Sequence, residues 1–175
     1  MNNLFFFCYN GIGRNKHEER HGITMYKITS RSERETIELA QNIESEKFPN
    51  MVICLEGDLG SGKTVFTKGF ASSLGIEETI TSPTFNIIKE YPNKEMDLYH
   101  MDVYRLDDKK DDLGIEEYFT RGGVTIIEWA DMIKDILPEE RLEIRFKILD
   151  DEENTRVLII TPFGKKYEDL CEAVL

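Results

Sequence analysis

Long apolar runs are missing from this sequence, and cysteines are few. No run of about eighteen or more apolar residues occurs, which argues against a membrane-spanning helix. The three cysteines, Cys8, Cys54 and Cys171, are odd in number and far apart, so neither a disulfide framework nor a zinc site is indicated. Because structural disulfides belong to oxidising compartments, this pattern favours the cytoplasm.

Positive charge is also scarce. The 175 residues include 22 Lys and Arg against 34 Asp and Glu, which gives a net charge of −12. A protein that grips nucleic acid by its phosphates needs a basic surface, so this chain is not expected to make that contact itself. A basic protein is an easier partner to accommodate. With 40% apolar and 32% charged residues, the composition is that of a soluble globular domain.

Residues 1–24 differ in pattern from the rest of the chain. They include a brief apolar cluster at residues 4–9, which is too short for a secretory signal and lacks a basic segment before it. A regular pattern of apolar residues begins at Met25. We therefore expect residues 1–24 to be a poorly ordered, non-essential extension and residues 25–175 to form one domain.

The segment 51–64 carries the clearest motif. A short apolar run is followed by Gly57 and then by Gly62-Lys63-Thr64, which fits the phosphate-loop pattern G-x-x-x-x-G-K-[ST]. Glycines let backbone N–H groups turn inward and surround phosphate oxygens, and the N-terminus of the following helix adds a positive partial charge. In this pattern Lys63 reaches the β and γ phosphates and Thr64 binds Mg²⁺. The predicted nucleotide-binding residues are Asp58, Leu59, Gly60, Ser61, Gly62, Lys63, Thr64 and Val65. A glycine-rich turn without a ligand is the alternative.

Alternating helix and strand patterns surround this loop. Capping-box spacing at Ser30–Glu33 predicts the start of the first helix. Predicted strands cover residues 26–29, 51–55, 86–91, 97–104, 124–127, 142–148 and 156–161. Predicted helices cover residues 31–47, 63–74, 115–119 and 167–174, and residues 130–137 form a short helix or a loop. This order predicts a three-layer α/β P-loop NTPase fold with a mostly parallel central sheet and added antiparallel hairpin strands. The ligand should lie at the carboxyl ends of the central strands.

Two acidic residues end apolar strands, where a nucleotide triphosphatase needs carboxylates. Glu128 follows the cleaner strand and is assigned to the Mg²⁺ site, and Asp102 is assigned to activation of the attacking water. A solvated carboxylate at a strand end is the alternative for both residues.

Four further residues allow more than one interpretation. Thr84 is either a switch residue that senses the γ-phosphate or a turn residue. His100, flanked by apolar residues, is better explained as a packed histidine than as a ligand. The only tryptophan, Trp129, either packs or lies beside the site. Arg105 suits a carboxylate or a phosphate partner.

The motifs of a guanine-specific protein are not well formed. The strings at residues 111–114 and 108–111 resemble D-x-x-G and [NT]-K-x-D, but both lie in a charged loop and the second lacks Asn or Thr. ATP is therefore favoured over GTP.

Four ordered motifs resemble those of the bacterial TsaE (YjeE) family over about residues 26–164. They are Glu56–Thr64, Ser82-Pro83-Thr84-Phe85, the H-x-D-x-Y-R segment His100–Leu106, and Ile127-Glu128-Trp129-Ala130 with Leu137-Pro138. Members are small P-loop ATPases required for threonylcarbamoyladenosine modification of tRNA. Val65 departs from the pattern, because many relatives have a second Thr there.

The resemblance implies roles for these residues. Residues 60–64 would bind the ATP phosphates, Thr64 and Glu128 would hold Mg²⁺, and Asp102 and Lys63 would be essential for hydrolysis. Residues 82–84 would form a switch segment, and Trp129 would lie beside the site. The implied partners are the TsaD and TsaB proteins, and tRNA would be reached only through that complex, which ATP hydrolysis would drive or reset.

The leading hypothesis is an ATPase that is weak alone and stimulated by its partners. Two other functions remain open. A P-loop kinase for a small metabolite would need an arginine-rich lid, and residues 105–121 contain six acidic residues with arginine only at the two ends. A nucleotide-gated binding protein would share every binding residue and differ only in turnover.

Overall fold

The computed structural model describes residues 13–20, 22–83, 86–106, 113–149 and 154–175. These residues contain eight strands, which are β1 (Gly13–Arg20), β2 (Ile23–Ser30), β3 (Met51–Glu56), β4 (Ile88–Tyr91), β5 (Leu98–Asp102), β6 (Val124–Glu128), β7 (Arg141–Ile148) and β8 (Arg156–Phe163). The helices are α1 (Glu33–Ser45), α2 (Lys63–Ser73), α3 (Ile115–Tyr118) and α4 (Lys165–Val174), with a kinked 3₁₀ segment at Ala130–Ile136. None of the described helices is long and apolar enough to cross a bilayer.

The strands form a single sheet in the order β1-β2-β8-β7-β3-β6-β5-β4. Its centre, β7-β3-β6-β5, is parallel, whereas β4 on one side and β8, β2 and β1 on the other are antiparallel additions. Every residue of β3, β5 and β6 is buried, as expected for parallel strands that are covered on both faces. The predicted fold, a parallel core with added antiparallel strands, is confirmed.

Helices cover both faces of the sheet. One face packs against α1, α2 and α4 through a core that includes Leu39, Phe66 and Phe70. The other face packs against α3 and the 3₁₀ segment through a second core that includes Ile115 and Ile133. Strand β5 illustrates the division, because side chains alternate between the faces of a strand.

Along β5, Leu98 belongs to the first core, whereas Tyr99 and Met101 belong to the second. His100 and Asp102 share the parity of Leu98 and therefore lie on the face that α2 covers. This alternation places two polar side chains of one strand beside the helix that follows the glycine-rich loop.

Helix α1 begins two residues later than the sequence pattern indicates. Its N-cap is Ser32, whose hydroxyl accepts a hydrogen bond of 3.2 Å from the Glu35 amide, while the Glu35 carboxylate accepts one of 2.7 Å from the Arg31 amide. The prediction of a capping box at Ser30–Glu33 is therefore wrong in register. Ser30 ends β2 instead, and its hydroxyl lies 2.8 Å from that of Thr36.

The segment before Met25 contributes to the sheet. Residues Gly13–Arg20 form β1 and pair with β2, which begins at Ile23. Residues 1–12 lie outside the described part of the chain. The division into an extension of residues 1–24 and a domain of residues 25–175 stays a prediction.

The C-terminal helix α4 is attached to the central strand by one buried hydrogen bond. Pairing of β3 with β7 begins at Ile53, and the amide of Val52 donates instead to the Tyr167 hydroxyl at 2.8 Å. Burial raises the pKa of Tyr167 to about 12. Strand β7 does not pair with β3 at Val52, and the Tyr167 hydroxyl accepts the hydrogen bond of the Val52 amide in its place.

Tyr167→Phe is expected to lower the free energy of unfolding by about 1–3 kcal/mol, because it leaves the Val52 amide buried without an acceptor. Urea denaturation of the two proteins measures the difference. Tyr118→Phe is the matched control, since its hydroxyl donates to Glu90 at an exposed site. Equal destabilisation by both substitutions would contradict the expected role of Tyr167.

Candidate nucleotide site

The loop between β3 and α2 has a backbone that requires glycine at two positions. Gly57 has a φ of 138°, and a Cβ there would lie 2.6 Å from the carbonyl oxygen of Phe146. Gly62 has a φ of 110° and caps α2, which starts at Lys63. The glycines of the motif therefore give the chain a turn that brings backbone N–H groups to the start of a helix, where anions bind.

A cleft of about 510 Å³ opens at the carboxyl ends of β3, β5 and β6. Its lining includes seven of the eight predicted nucleotide-binding residues, Leu59, Gly60, Ser61, Gly62, Lys63, Thr64 and Val65. Asp58 instead lines a neighbouring cavity of about 440 Å³. The remaining lining residues are Ser32, Glu33, Thr36, Ser82, Asp102, Tyr104, Arg105, Glu128, Trp129, Asn154 and Arg156.

The Lys63 ammonium group lies beneath the loop. Its Nζ donates to the carbonyl oxygens of Gly57 at 2.6 Å and Asp58 at 2.9 Å, and it sits 4.1 Å from the centre of the Trp129 ring. Burial lowers the pKa of Lys63, while the carboxylates of Glu128 and Asp102 oppose that shift. The sole lysine of the motif is thus positioned by the loop itself and faces the two predicted acidic residues.

Glu128 lies against the first turn of α2. The Thr64 hydroxyl is 3.0 and 3.1 Å from its two carboxylate oxygens, and His100 Nε2 is 2.9 Å from Oε1. Only 3% of Glu128 is exposed. The structure therefore brings together the two residues that the sequence assigns to Mg²⁺, although they are 64 positions apart.

Asp102 stands opposite Glu128 in the register of the parallel pair β5–β6. Its Oδ2 accepts a hydrogen bond from the Ser82 hydroxyl, and its Oδ1 accepts one of 3.2 Å from the Tyr104 amide. Asp102 also lines the cleft. Both predicted carboxylates therefore face the loop from neighbouring strands.

Trp129 follows Glu128 in a left-handed backbone conformation, with a φ of 63°. Its amide donates to the Leu55 carbonyl at 2.9 Å, which ties the end of β6 to β3. Its ring lies 4.7 Å from that of Tyr104. Trp129 therefore lines the cleft and also packs against the second core. Thr84 lies outside the described residues, so its predicted switch role stays a prediction.

One wall of the cleft lacks a strong signal in the sequence. It is formed by Ser32, Glu33 and Thr36 at the start of α1 together with Asn154 and Arg156 near β8. These segments are more than a hundred residues apart in the chain. Only the capping pattern before α1 marks the first group, and nothing local marks the second.

The acidic and hydroxyl groups fit Mg²⁺ that arrives with a nucleotide. Within the described ranges, no three His, Cys, Asp or Glu side chains cluster in a way that would hold a metal by themselves. Mg²⁺ typically takes one or two protein oxygen ligands and completes its shell with water and phosphate oxygens. The Thr64 hydroxyl and the Glu128 carboxylate offer such a pair of oxygens beside the phosphate loop.

Comparison with known proteins agrees with this geometry. The family model "Threonylcarbamoyl adenosine biosynthesis protein TsaE" matches residues 30–158. The tRNA threonylcarbamoyladenosine biosynthesis protein TsaE of Bacillus subtilis (strain 168) is 54% identical over 124 residues, covering 71% of this chain and 77% of that protein. The Haemophilus influenzae protein of the same name is 33% identical over 130 residues, covering 73% and 81%.

A solved structure is similar over nearly all of its length. The crystal structure of Bacillus subtilis YdiB gives a TM-score of 0.75 at 42% identity and covers 89% of this chain and 97% of that one. From the matched family model, the identity to curated relatives and the shared fold, this chain belongs to the TsaE family.

Proposed function

We propose that this chain is the Mg²⁺-dependent ATPase component of the machinery that makes threonylcarbamoyladenosine at position 37 of tRNA. One observation carries the proposal. A phosphate-loop lysine, the helix N-terminal threonine that follows it and two strand-end carboxylates, contributed by three separate segments, converge on one cleft. The names of the relatives supply the pathway.

Each side chain has a role that follows from its position. The amides of the loop and the Lys63 ammonium would bind the phosphates of ATP, and Thr64 and Glu128 would hold Mg²⁺. The bound metal ion would offset the negative charge of the phosphate oxygens. Glu128 stays in place because Thr64 and His100 contact it.

Asp102 is the proposed group that orients the attacking water and takes its proton. The water oxygen bonds to the γ-phosphorus while the bond from that phosphorus to the β–γ bridging oxygen breaks, which yields ADP and phosphate. For this role the Asp102 carboxylate must accept a hydrogen bond from water in addition to those from Ser82 and Tyr104. A carboxylate has about four lone-pair positions, so two are left for the water.

The proposed partners are the TsaD and TsaB proteins. A net charge of −12 suits contact with a basic protein surface and leaves the tRNA contact to the complex. ATP hydrolysis would then drive or reset that complex, and the isolated chain would turn over slowly. The cytoplasm is the proposed location. The two described cysteines, Cys54 and Cys171, are free thiols in the core, consistent with a reducing compartment.

An ATPase assay with and without the TsaB–TsaD pair tests this proposal, followed by measurement of tRNA modification in the reconstituted mixture. Partner-stimulated hydrolysis and ATP-dependent modification are the expected results. If the partners change neither hydrolysis nor modification, the proposed function is wrong.

Glu128→Gln is expected to raise the Mg²⁺ concentration needed for half-maximal hydrolysis by roughly 10-fold or more, because an amide oxygen is a weaker ligand than a carboxylate. A Mg²⁺ titration of ATPase activity measures the change. Glu143→Gln is a suitable control, since Glu143 lies on β7 and pairs with Arg141 away from the cleft. An unchanged titration in Glu128→Gln would remove Glu128 from the metal site.

A further inference from the structure

His100 lies in the middle of β5 and contacts the Glu128 carboxylate on the neighbouring strand β6. The imidazole is fully buried, and its Nε2 is 2.9 Å from Oε1 of Glu128. Its other nitrogen, Nδ1, is also buried and has no hydrogen-bond partner among the described residues. A polar ring in an apolar core is costly unless its hydrogen bonds are made, so the contact with Glu128 accounts for a histidine at this position.

The contact determines which nitrogen carries the hydrogen. The Glu128 carboxylate accepts a hydrogen bond from Thr64 and, as an ionised group, can only accept. Nε2 must therefore be the donor.

The two contacts to Glu128 differ in kind. Thr64 belongs to the proposed Mg²⁺ site itself, so its hydroxyl oxygen is needed by the metal. His100 belongs to β5, lies on the face of the sheet that α2 covers, and is buried behind the residues that line the cleft. When Mg²⁺ engages Thr64, the hydrogen bond from His100 would remain to hold the Glu128 carboxylate in place.

We propose that His100 is a positioning residue for magnesium, because its Nε2–H holds the Glu128 carboxylate in the orientation that binds the ion. The inference rests on the proposed function of the cleft and adds a residue to it. Groups that orient a metal-binding side chain typically change metal affinity or activity by roughly 10- to 100-fold when they are removed. Because His100 and Asp102 lie on the same face of β5, one strand would carry both the residue that orients the Mg²⁺ ligand and the residue that activates water.

Two amide substitutions separate the hydrogen bond from mere packing. In His100→Gln the amide nitrogen can take the place of Nε2, whereas in His100→Asn the shorter side chain places its amide near Nδ1. Both variants keep a buried polar side chain. His100→Leu removes the donor, and Ile126→Val is the packing control, since Ile126 stands opposite His100 in the β5–β6 register.

Calorimetric titration of ADP at increasing MgCl₂ concentration gives the Mg²⁺ requirement of nucleotide binding without any hydrolysis, and thermal melting reports folding. We expect His100→Gln and Ile126→Val to need the same Mg²⁺ concentration as the unsubstituted protein, within about threefold. We expect His100→Asn and His100→Leu to need roughly tenfold more Mg²⁺.

The outcomes distinguish this inference from the proposed function. Equal Mg²⁺ requirements for the Gln and Asn variants would overturn the positioning role even if His100→Leu fails to fold. If ADP binding to the unsubstituted protein depends on Mg²⁺ and the His100 variants have the same Mg²⁺ requirement, the proposed function stands and the inference is wrong. ADP binding that is independent of Mg²⁺ in the unsubstituted protein overturns the inference, whereas the proposed function is overturned only by the partner assay described above.

Discussion

Lys63→Ala is expected to abolish measurable nucleotide binding. The ammonium is largely buried and is held by two loop carbonyls, so it is already oriented for phosphate and loses little freedom on binding. Removing one member of a buried, hydrogen-bonded charge pair costs about 2–5 kcal/mol. At about 1.4 kcal/mol for each factor of ten, that corresponds to a loss of roughly 30-fold to several-thousand-fold in affinity.

Titration calorimetry with ADP or a non-hydrolysable ATP analogue measures the loss. Lys68→Ala is the matched control, because Lys68 is on the same helix α2 but is exposed and does not line the cleft. Thermal melting of both variants shows whether the fold survives. Retention of affinity in a folded Lys63→Ala protein would mean that the glycine-rich loop does not bind phosphate through its lysine.

The second large effect is expected for Asp102→Asn, which should keep nucleotide binding within about threefold and lower kcat by roughly 10²- to 10⁴-fold. The substitution preserves size, and an amide oxygen can still accept a hydrogen bond from the Tyr104 amide. An amide does not take a proton from water near neutral pH. The substitution should therefore lower the rate of hydrolysis without a comparable loss of nucleotide affinity.

Single-turnover ATP hydrolysis and parallel ADP titrations measure the two quantities. Asp97→Asn provides the same chemical change just before the start of β5, where the carboxylate accepts a hydrogen bond from the Asn93 amide at 2.9 Å. It should leave hydrolysis unchanged. Loss of nucleotide binding in Asp102→Asn would instead assign Asp102 to the binding site.

Local patterns were sufficient to predict much of the fold. The buried runs before the loop and before Glu128, the glycines of the loop, and the alternation in β7 each depend on residues a few positions apart. The same holds for the end of the strand that carries Glu128, whereas the predicted strand at residues 97–104 extends two residues beyond Asp102, where β5 ends. Because parallel strands end at a common edge of the sheet, the convergence of these carboxylates on the loop could be anticipated.

Contacts between distant segments were not visible in the sequence. The flanking apolar residues of His100 indicate burial, which is correct, but they do not show that its ring reaches Glu128 on the next strand. The N-cap of α1 is Ser32 and not the predicted Ser30, because β2 extends to Ser30. The cleft wall at Arg156 depends on the sheet order, which places β8 and β2 beside each other.

The alternation of side chains along β5 has a consequence for reading related sequences. Deleting one residue between 98 and 102 would exchange the two faces of the strand and move Met101 or Val103 toward the loop in place of an acidic residue. The turn at residues 92–97 lies outside the strand and can change length without that exchange. Insertions and deletions in related chains should therefore occur in this turn rather than in β5. A gap aligned inside β5 would indicate either an alignment error or a protein that no longer places an acidic residue beside the loop.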